Sequence, residues 1–340
     1  MICRMIITVM LLAYAAATIH LRGVESLSQL FSAASVVFTG EVTSVAQTGE
    51  RTGVWYGEPV RLETFIAEVS VDREYKGPTN PASIAISFSR PSGTRCTVSK
   101  CETLQAGDDG LFFLKADNDG YHLLDPYVGR LPVSRLKSAT AVSGIIGLES
   151  DIVAGFHDTD ENRLLTNIEL YGASEHASSS PLFELLLTDR SDLVHAAANA
   201  ALLKLGIHSR LKDAARVVEL RTDDPRELLL QQEISSFISE IRDRAAVQVL
   251  LEFAHSRSDQ LREAVVHALR EMGSADAVPI FVQALDDHLD LIRYDAVLGL
   301  AAVEKNWQLA PSIDSFHEDE SKYITAWKSW WLTTGRSLYR

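Results

Sequence analysis

Apolar residues recur with two different periods along this chain, and the period changes near its middle. Over residues 28–136 the pattern is strand-like. Val36-Val37-Phe38-Thr39-Gly40-Glu41-Val42-Thr43-Ser44-Val45 is rich in β-branched residues with polar ones interleaved. Phe65-Ile66-Ala67-Glu68-Val69-Ser70-Val71 and Ile84-Ala85-Ile86-Ser87-Phe88 alternate with period two, as half-buried strands do. Leu111-Phe112-Phe113-Leu114 is a short continuous apolar run. Asn118-Asp119-Gly120 then supplies a turn before Tyr121-His122-Leu123-Leu124, so 111–124 is expected to form a hairpin. Gly77-Pro78, Pro91-Ser92-Gly93 and Gly107-Asp108-Asp109-Gly110 separate the strands. Short strands at this spacing predict a small closed β-barrel or sandwich.

From residue 151 the period becomes helical and the pattern itself repeats. Leu261-Arg262-Glu263-Ala264-Val265-Val266-His267-Ala268-Leu269 is matched 31 residues later by Ile292-Arg293-Tyr294-Asp295-Ala296-Val297-Leu298-Gly299-Leu300. Earlier copies begin at Leu230, Val194 and, more faintly, Asn162. In each copy the apolar positions fall at i, i+4, i+7 and i+8, one face of a helix. A second helical segment precedes each copy, at 181–187, 211–220, 245–253 and 275–285, and 151–156 opens the first unit. The unit is therefore a helix hairpin, about five of which must stack, because one hairpin cannot bury its apolar face alone.

Two columns run through these repeats. Asp192, Asp259 and Asp290 stand two residues before the first apolar position of the second helix and are expected to cap it. Arg163, His195, Arg262 and Arg293 stand one residue after it. They are read either as a basic ligand-binding stripe or, preferably, as a ladder in which each Arg meets an acid of an adjacent repeat. Ala201, Ala268 and Gly299 mark places of close helix approach. After the repeats, Glu318-Asp319-Glu320 opens a terminal helix over 318–335. Tyr323, Trp327, Trp330 and Trp331 share one face of it, as an aromatic surface or a cap on the last repeat.

Two resemblances follow from these residues. The Asp-x-apolar-Arg hairpins over about 150–305 resemble bacterial HEAT repeats, which implies an α-solenoid that binds protein. The strand Ala34-Ser35-Val36-Val37-Phe38-Thr39-Gly40-Glu41-Val42 resembles the first strand of bacterial domains related to netrin modules and tissue inhibitors of metalloproteinases. The run into Tyr75-Lys76-Gly77, and Gly107 followed by Leu111-Phe112-Phe113-Leu114, carry the same likeness, which implies an OB-like barrel. The inhibitory chemistry is not carried over, because it needs a Cys at the mature amino terminus and none stands there.

Expected organisation is thus a signal segment over 1–17, an OB-like barrel over 28–136, a linker over 137–150, HEAT-like repeats over 151–310 and a capping helix over 318–335. Arg4 followed by the apolar run 6–17 and Ala15-Ala16-Ala17 reads as a secretory signal. The run is shorter than the roughly 20 residues a membrane span needs, so the mature chain is expected to lack a span and to be periplasmic or secreted. Cys96 and Cys101 suit a short disulfide loop in an oxidising compartment, with free thiols as the alternative. A net charge of −14 argues against a nucleic-acid partner.

Candidate chemistry is thin. Asp158, Asp160 and Asn162 with Glu169 have the spacing of a calcium loop, but Arg163 occupies the position that needs glycine. No metal-binding His pair, nucleophile elbow or nucleotide fingerprint occurs. The reading is a non-enzymatic, exported protein-interaction module without cofactor, its partner a protein. The rival classes are a secreted protease inhibitor and a HEAT-type lyase.

Overall fold

The computed structural model describes residues 26–55, 58–77, 81–92, 103–125, 129–134, 143–174, 180–187 and 191–339. The signal segment, the Cys96–Cys101 pair and most of the linker lie outside them. Contacts divide the chain into two compact units, Met1–Ala201 and Leu202–Arg340.

The described part of the first unit opens with a helix where strand texture was expected. α1 (Leu27–Ala33) is capped by Ser26, whose hydroxyl accepts the Gln29 amide, and it buries Leu27 and Leu30. The cap and the i, i+3 leucine pair fit a single amphipathic turn better than a strand. Six strands follow: β1 (Val36–Trp55), β2 (Glu58–Lys76), β3 (Ser83–Pro91), β4 (Asp109–Asp117), β5 (Gly120–Leu123) and β6 (Arg130–Leu131). They form a mixed sheet ordered β1-β2-β3-β5-β4-β6, in which β1 also pairs with β4. Only the β3–β5 pairing is parallel; the others are antiparallel.

Alternation sets the core. Phe65, Ala67 and Val69 of β2 and Ile84, Ile86 and Phe88 of β3 point inward. Phe38 stacks on Phe112 at 5.1 Å and Phe65 on Phe88 at 5.2 Å. All four apolar residues of Leu111-Phe112-Phe113-Leu114 are buried, as a continuous run in a strand covered on both faces should be. Gly40 sits at a register shift in β1, where a β-carbon would lie 2.2 Å from the Ser70 carbonyl oxygen. The predicted hairpin is present, with Gly120 at φ +116°. β1 and β2 run on together to the Trp55–Glu58 pair, well past the apolar alternation that revealed them.

Helical hairpins make up the rest of both units: α2 (Gly144–Ala154) with α3 (Glu161–Gly172), α4 (Ser180–Leu186) with α5 (Asp192–Lys204), α6 (Leu211–Glu219) with α7 (Pro225–Ser239), α8 (Val247–Phe253) with α9 (Asp259–Met272), and α10 (Val278–Ala284) with α11 (Asp290–Glu304). α12 (Ile313–Glu318), α13 (Glu320–Trp330), a π-helical turn (Trp331–Gly335) and α14 (Arg336–Leu338) complete the chain. None of the described helices is long and apolar enough to cross a membrane.

Within the first unit, polar contacts join the sheet to the first hairpin. Asp151 of α2 is only 7% exposed, and its carboxylate accepts from Arg73 Nη1 at 2.9 Å and from the Tyr75 hydroxyl at 2.7 Å. Burial and the Asp151 charge hold the Tyr75 phenol well above its usual range. On α3, Arg163 reaches Asp109 of β4 at 2.9 Å, and Ser134 donates to Asp158 at 2.5 Å. Asp158 and Asp160 thus serve the turn and the start of α3: Asp160 caps the Asn162 and Arg163 amides. Removing the Asp151 carboxylate takes from the largely covered Arg73 guanidinium its buried acid and from the Tyr75 hydroxyl its acceptor, so Asp151→Ala is expected to cost about 3–5 kcal/mol in denaturant unfolding. A loss below about 1 kcal/mol, the worth of an ordinary exposed pair, would contradict this.

Candidate binding surface on the repeat helices

The second unit contains the clearest repeats, and their recurring residues separate into those that hold the stack and those that face outward. Arg262 on α9 donates from Nη1 to the Ser256 carbonyl of its own repeat at 2.9 Å and from Nε to Asp287 of the next at 2.9 Å. Arg293 on α11 repeats the arrangement: Nη1 donates to the Asp287 carbonyl at 2.8 Å, and Nε reaches Glu320 of α13. Each arginine thus ties its own turn to the element that follows. Both side chains are mostly covered, at 13% and 19% exposure. The column is a structural ladder, and its guanidiniums are already committed.

The expected aspartate caps need correction. α9 is capped by Ser258, whose hydroxyl accepts the Leu261 amide, and Val194 of α5 donates likewise to Ser191. Asp259 and Asp290 stand one place further in, within the first turn. There Asp259 pairs with Arg262 at 2.9 Å and with His288 at 3.2 Å. At α5 and α9 the small hydroxyl reaches the free amides from outside the helix, and the carboxylate is left for the first turn and the helix dipole; α11 has Leu289 at this place and no side-chain cap. Gly299 marks close approach as expected, since a β-carbon there would lie 2.7 Å from the Phe281 ring.

A second cluster had no motif to announce it. Asp295 on α11 is 6% exposed and is held by His267 Nδ1 of α9 at 3.0 Å and by Arg270 Nη1 at 2.5 Å. One turn before His267, Glu263 makes no hydrogen bond or ion pair among the described residues. Burial first, and then the nearby Asp295 charge, raise its carboxyl above the usual range. Tyr294, its counterpart one repeat on, donates to the Pro311 carbonyl at 3.2 Å and leaves part of its ring accessible. Glu263, His267, Tyr294 and Leu298, with Ser236 and Phe237 of α7, are partly or fully exposed on the second helices. The only signal for them in the sequence was their place in the repeat, one or two residues off the apolar positions.

The terminal aromatics divide in two. Trp327 is fully buried, its Nε1 3.4 Å from the Leu309 carbonyl, and Tyr323 is 8% exposed. Trp330 and Trp331 are half-buried, and Trp330 lies edge-on to Trp327 at 5.3 Å. Beside them the Tyr339 hydroxyl donates to Glu304, a hydrogen bond that with burial pushes its phenol up to about 12. Cys96 and Cys101 lie outside the described residues.

A family model for HEAT repeats matches residues 214–301. That span runs from within α6 through most of α11, so the chain carries a β-sheet domain followed by HEAT repeats. No curated protein matches the chain in sequence. Among solved structures, the complex of CpcE and CpcF of phycocyanin lyase from Nostoc sp. PCC7120 is similar at 16% identity and a TM-score of 0.37, over 51% of this chain and 71% of that one.

The ladder carries a pH signature. Burial would raise the Asp287 carboxyl, but hydrogen bonds from Arg262 and the Leu289 amide outweigh it and hold the carboxyl below the usual aspartate range. A depressed folded value gives stability that is present above the unfolded pKa and is lost as pH falls through the folded one. The stability gap between the parent and Asp287→Asn is therefore expected to narrow below about pH 4. Equal gaps at neutral and strongly acid pH, measured by urea unfolding, would contradict the ladder.

Proposed function

We propose that this chain is an exported, non-enzymatic protein-interaction module that captures its partner on the second helices of the HEAT repeats. The observation that carries this reading is the division of labour in the repeat. The recurrent arginines are consumed in tying hairpins together, while Glu263 and Leu298 stay partly exposed between them, and His267 and Tyr294 remain partly exposed beside their contacts to Asp295 and Pro311. Stacked hairpins offer an extended surface suited to a protein segment. Half-buried and unpaired, the Glu263 carboxylate lacks a cation that an arginine or lysine of a partner would supply.

The sheet domain is read as an OB-like barrel of the netrin and metalloproteinase-inhibitor type. Support comes from its pairing order, in which β1-β2-β3-β5-β4 leads back to β1. Export is supported by Arg4 and the apolar run ending in Ala15-Ala16-Ala17. In that compartment Cys96 and Cys101 form a disulfide.

Photo-crosslinking tests the surface. A crosslinking residue is placed at 263 or 267, and as a control at the exposed Gln248 on α8, the first helix of the same hairpin, in the full chain expressed in its own cell envelope. A discrete protein adduct from 263 and 267, absent from 248 and lost with Glu263→Arg carried beside the 267 probe, is expected. Equal adducts from both faces, or none from 263 and 267, would overturn the assignment. Intact mass of the exported chain checks the rest: a retained amino-terminal segment or two alkylatable thiols would refute the processing and disulfide readings.

A further inference from the structure

The helix that covers the last repeat is not polar on its outside. An end repeat of a stacked array needs a polar outer face, because no further repeat follows to bury it. Here Trp307, Leu332 and Leu338 are 66%, 68% and 62% exposed, and Trp330 and Trp331 are half-buried. Tyr339 draws these residues together. Its hydroxyl donates at 2.5 Å to Glu304, three residues before Trp307, and its ring lies 6.2 Å from that of Trp330. Trp330 in turn lies 6.3 Å from Trp331. The π-helical turn presses its backbone onto both indoles at Gly335, where a β-carbon would come within 2.7 Å of Trp331 and 2.8 Å of Trp330. Leu338 immediately precedes Tyr339, and Arg336 stands about one turn after Leu332.

Charge changes sign here as well. Residues 321–340 hold Lys322, Lys328, Arg336 and Arg340 and no acid, in a chain of net charge −14. Of the acids in contact with this end, Asp286 is taken by Lys328 and Glu304 by Tyr339. Asp314, Glu318 and Asp319 belong to α12 and the turn that opens α13, and α13 rises about 16 Å beyond that turn. Arg336 and Lys305, the latter two residues before Trp307, are exposed and make no hydrogen bond or ion pair among the described residues. Indole and phenol rings, apolar bodies with one polar atom, favour the boundary between water and hydrocarbon. Bases beside such rings meet anionic headgroups. Side chains exposed to this degree protrude from the helix and turn that carry them, and a fluid lipid surface can close around protrusions. A second copy of this chain would instead bring like charges face to face.

We propose that this end of the repeat array docks on the surface of an anionic lipid bilayer. Trp307, Leu332 and Leu338 enter the headgroup boundary, and Lys305 and Arg336 meet lipid phosphates. The site is separate from the second-helix surface, so either can fail without the other.

Flotation of the full-length exported chain with vesicles tests it, using phosphatidylcholine alone and equal parts of phosphatidylcholine and phosphatidylglycerol. Binding to the anionic vesicles is expected, with a blue shift of tryptophan fluorescence, and it should weaken as salt is raised. Leu332→Ser combined with Leu338→Ser alters two exposed side chains, so folding is not in question, and should weaken binding about tenfold. Arg336→Glu should weaken it about fivefold or more, and Arg257→Glu, at an exposed base of the repeats, should leave it unchanged. Equal binding to neutral and anionic vesicles, or none to either, would overturn the proposal. So would binding indifferent to the terminal changes, as it would be if the apolar run 6–17 carried it, or an equal loss on Arg257→Glu, which would make net charge alone the cause. A photo-crosslinker at 332 that captures only protein in the cell envelope would assign the face to a protein partner instead.

Discussion

A helix hairpin of about thirty residues buries too little apolar surface to stand by itself, and most of this protein answers to that constraint. Each exposed end of a hairpin stack needs a cover. In the first unit the cover is the β-sheet: Asp151 of the first hairpin sits between Arg73 and Tyr75, and Arg163 meets Asp109. In the second unit it is the terminal helix, which buries Trp327 and offers Glu320 to Arg293. Both covers combine apolar burial with a charged contact, so position is fixed as well as area removed from water.

In the last repeats of the second unit, Arg262 and Arg293 do between successive elements what the terminal helix does at the end. A guanidinium can donate in several directions at once. Arg262 uses this to bond a carbonyl of its own turn and a carboxylate of the next. The same geometry explains why the column is a poor ligand site: its donors are spent. His267 also joins adjacent repeats, through Asp295, whereas Glu263 has no such bond among the described residues and is where recognition can vary.

Much of this was legible from the residues, because the determinants repeat. Apolar positions at i, i+4, i+7 and i+8 marked α5, α7, α9 and α11, and the period-two runs marked β2 and β3. Three things were not. α1 rests on one serine cap and two leucines, too few residues to show a period. The far end of β1 contains Gln47-Thr48-Gly49-Glu50, whose polarity hides a ribbon held by backbone pairing to β2. Asp295 was missed as a site residue because its partners, His267 and Arg270, come from the preceding repeat and meet it only after stacking. Misplacing the caps by one residue had the opposite cause: serine and aspartate both suit a helix start, and only geometry tells Ser258 from Asp259.

The recurring arginines of the repeats, Arg262 and Arg293, hold the stack and do not bind ligand. A double-mutant cycle measures this directly: unfolding of the parent, Arg262→Ala, Asp287→Ala and the double variant in urea. A coupling of about 1 kcal/mol or more between the two sites is the expected result for a partly buried charged pair within one network. Additive losses, with no coupling beyond error, would contradict the account and return Arg262 to the pool of ligand-binding candidates.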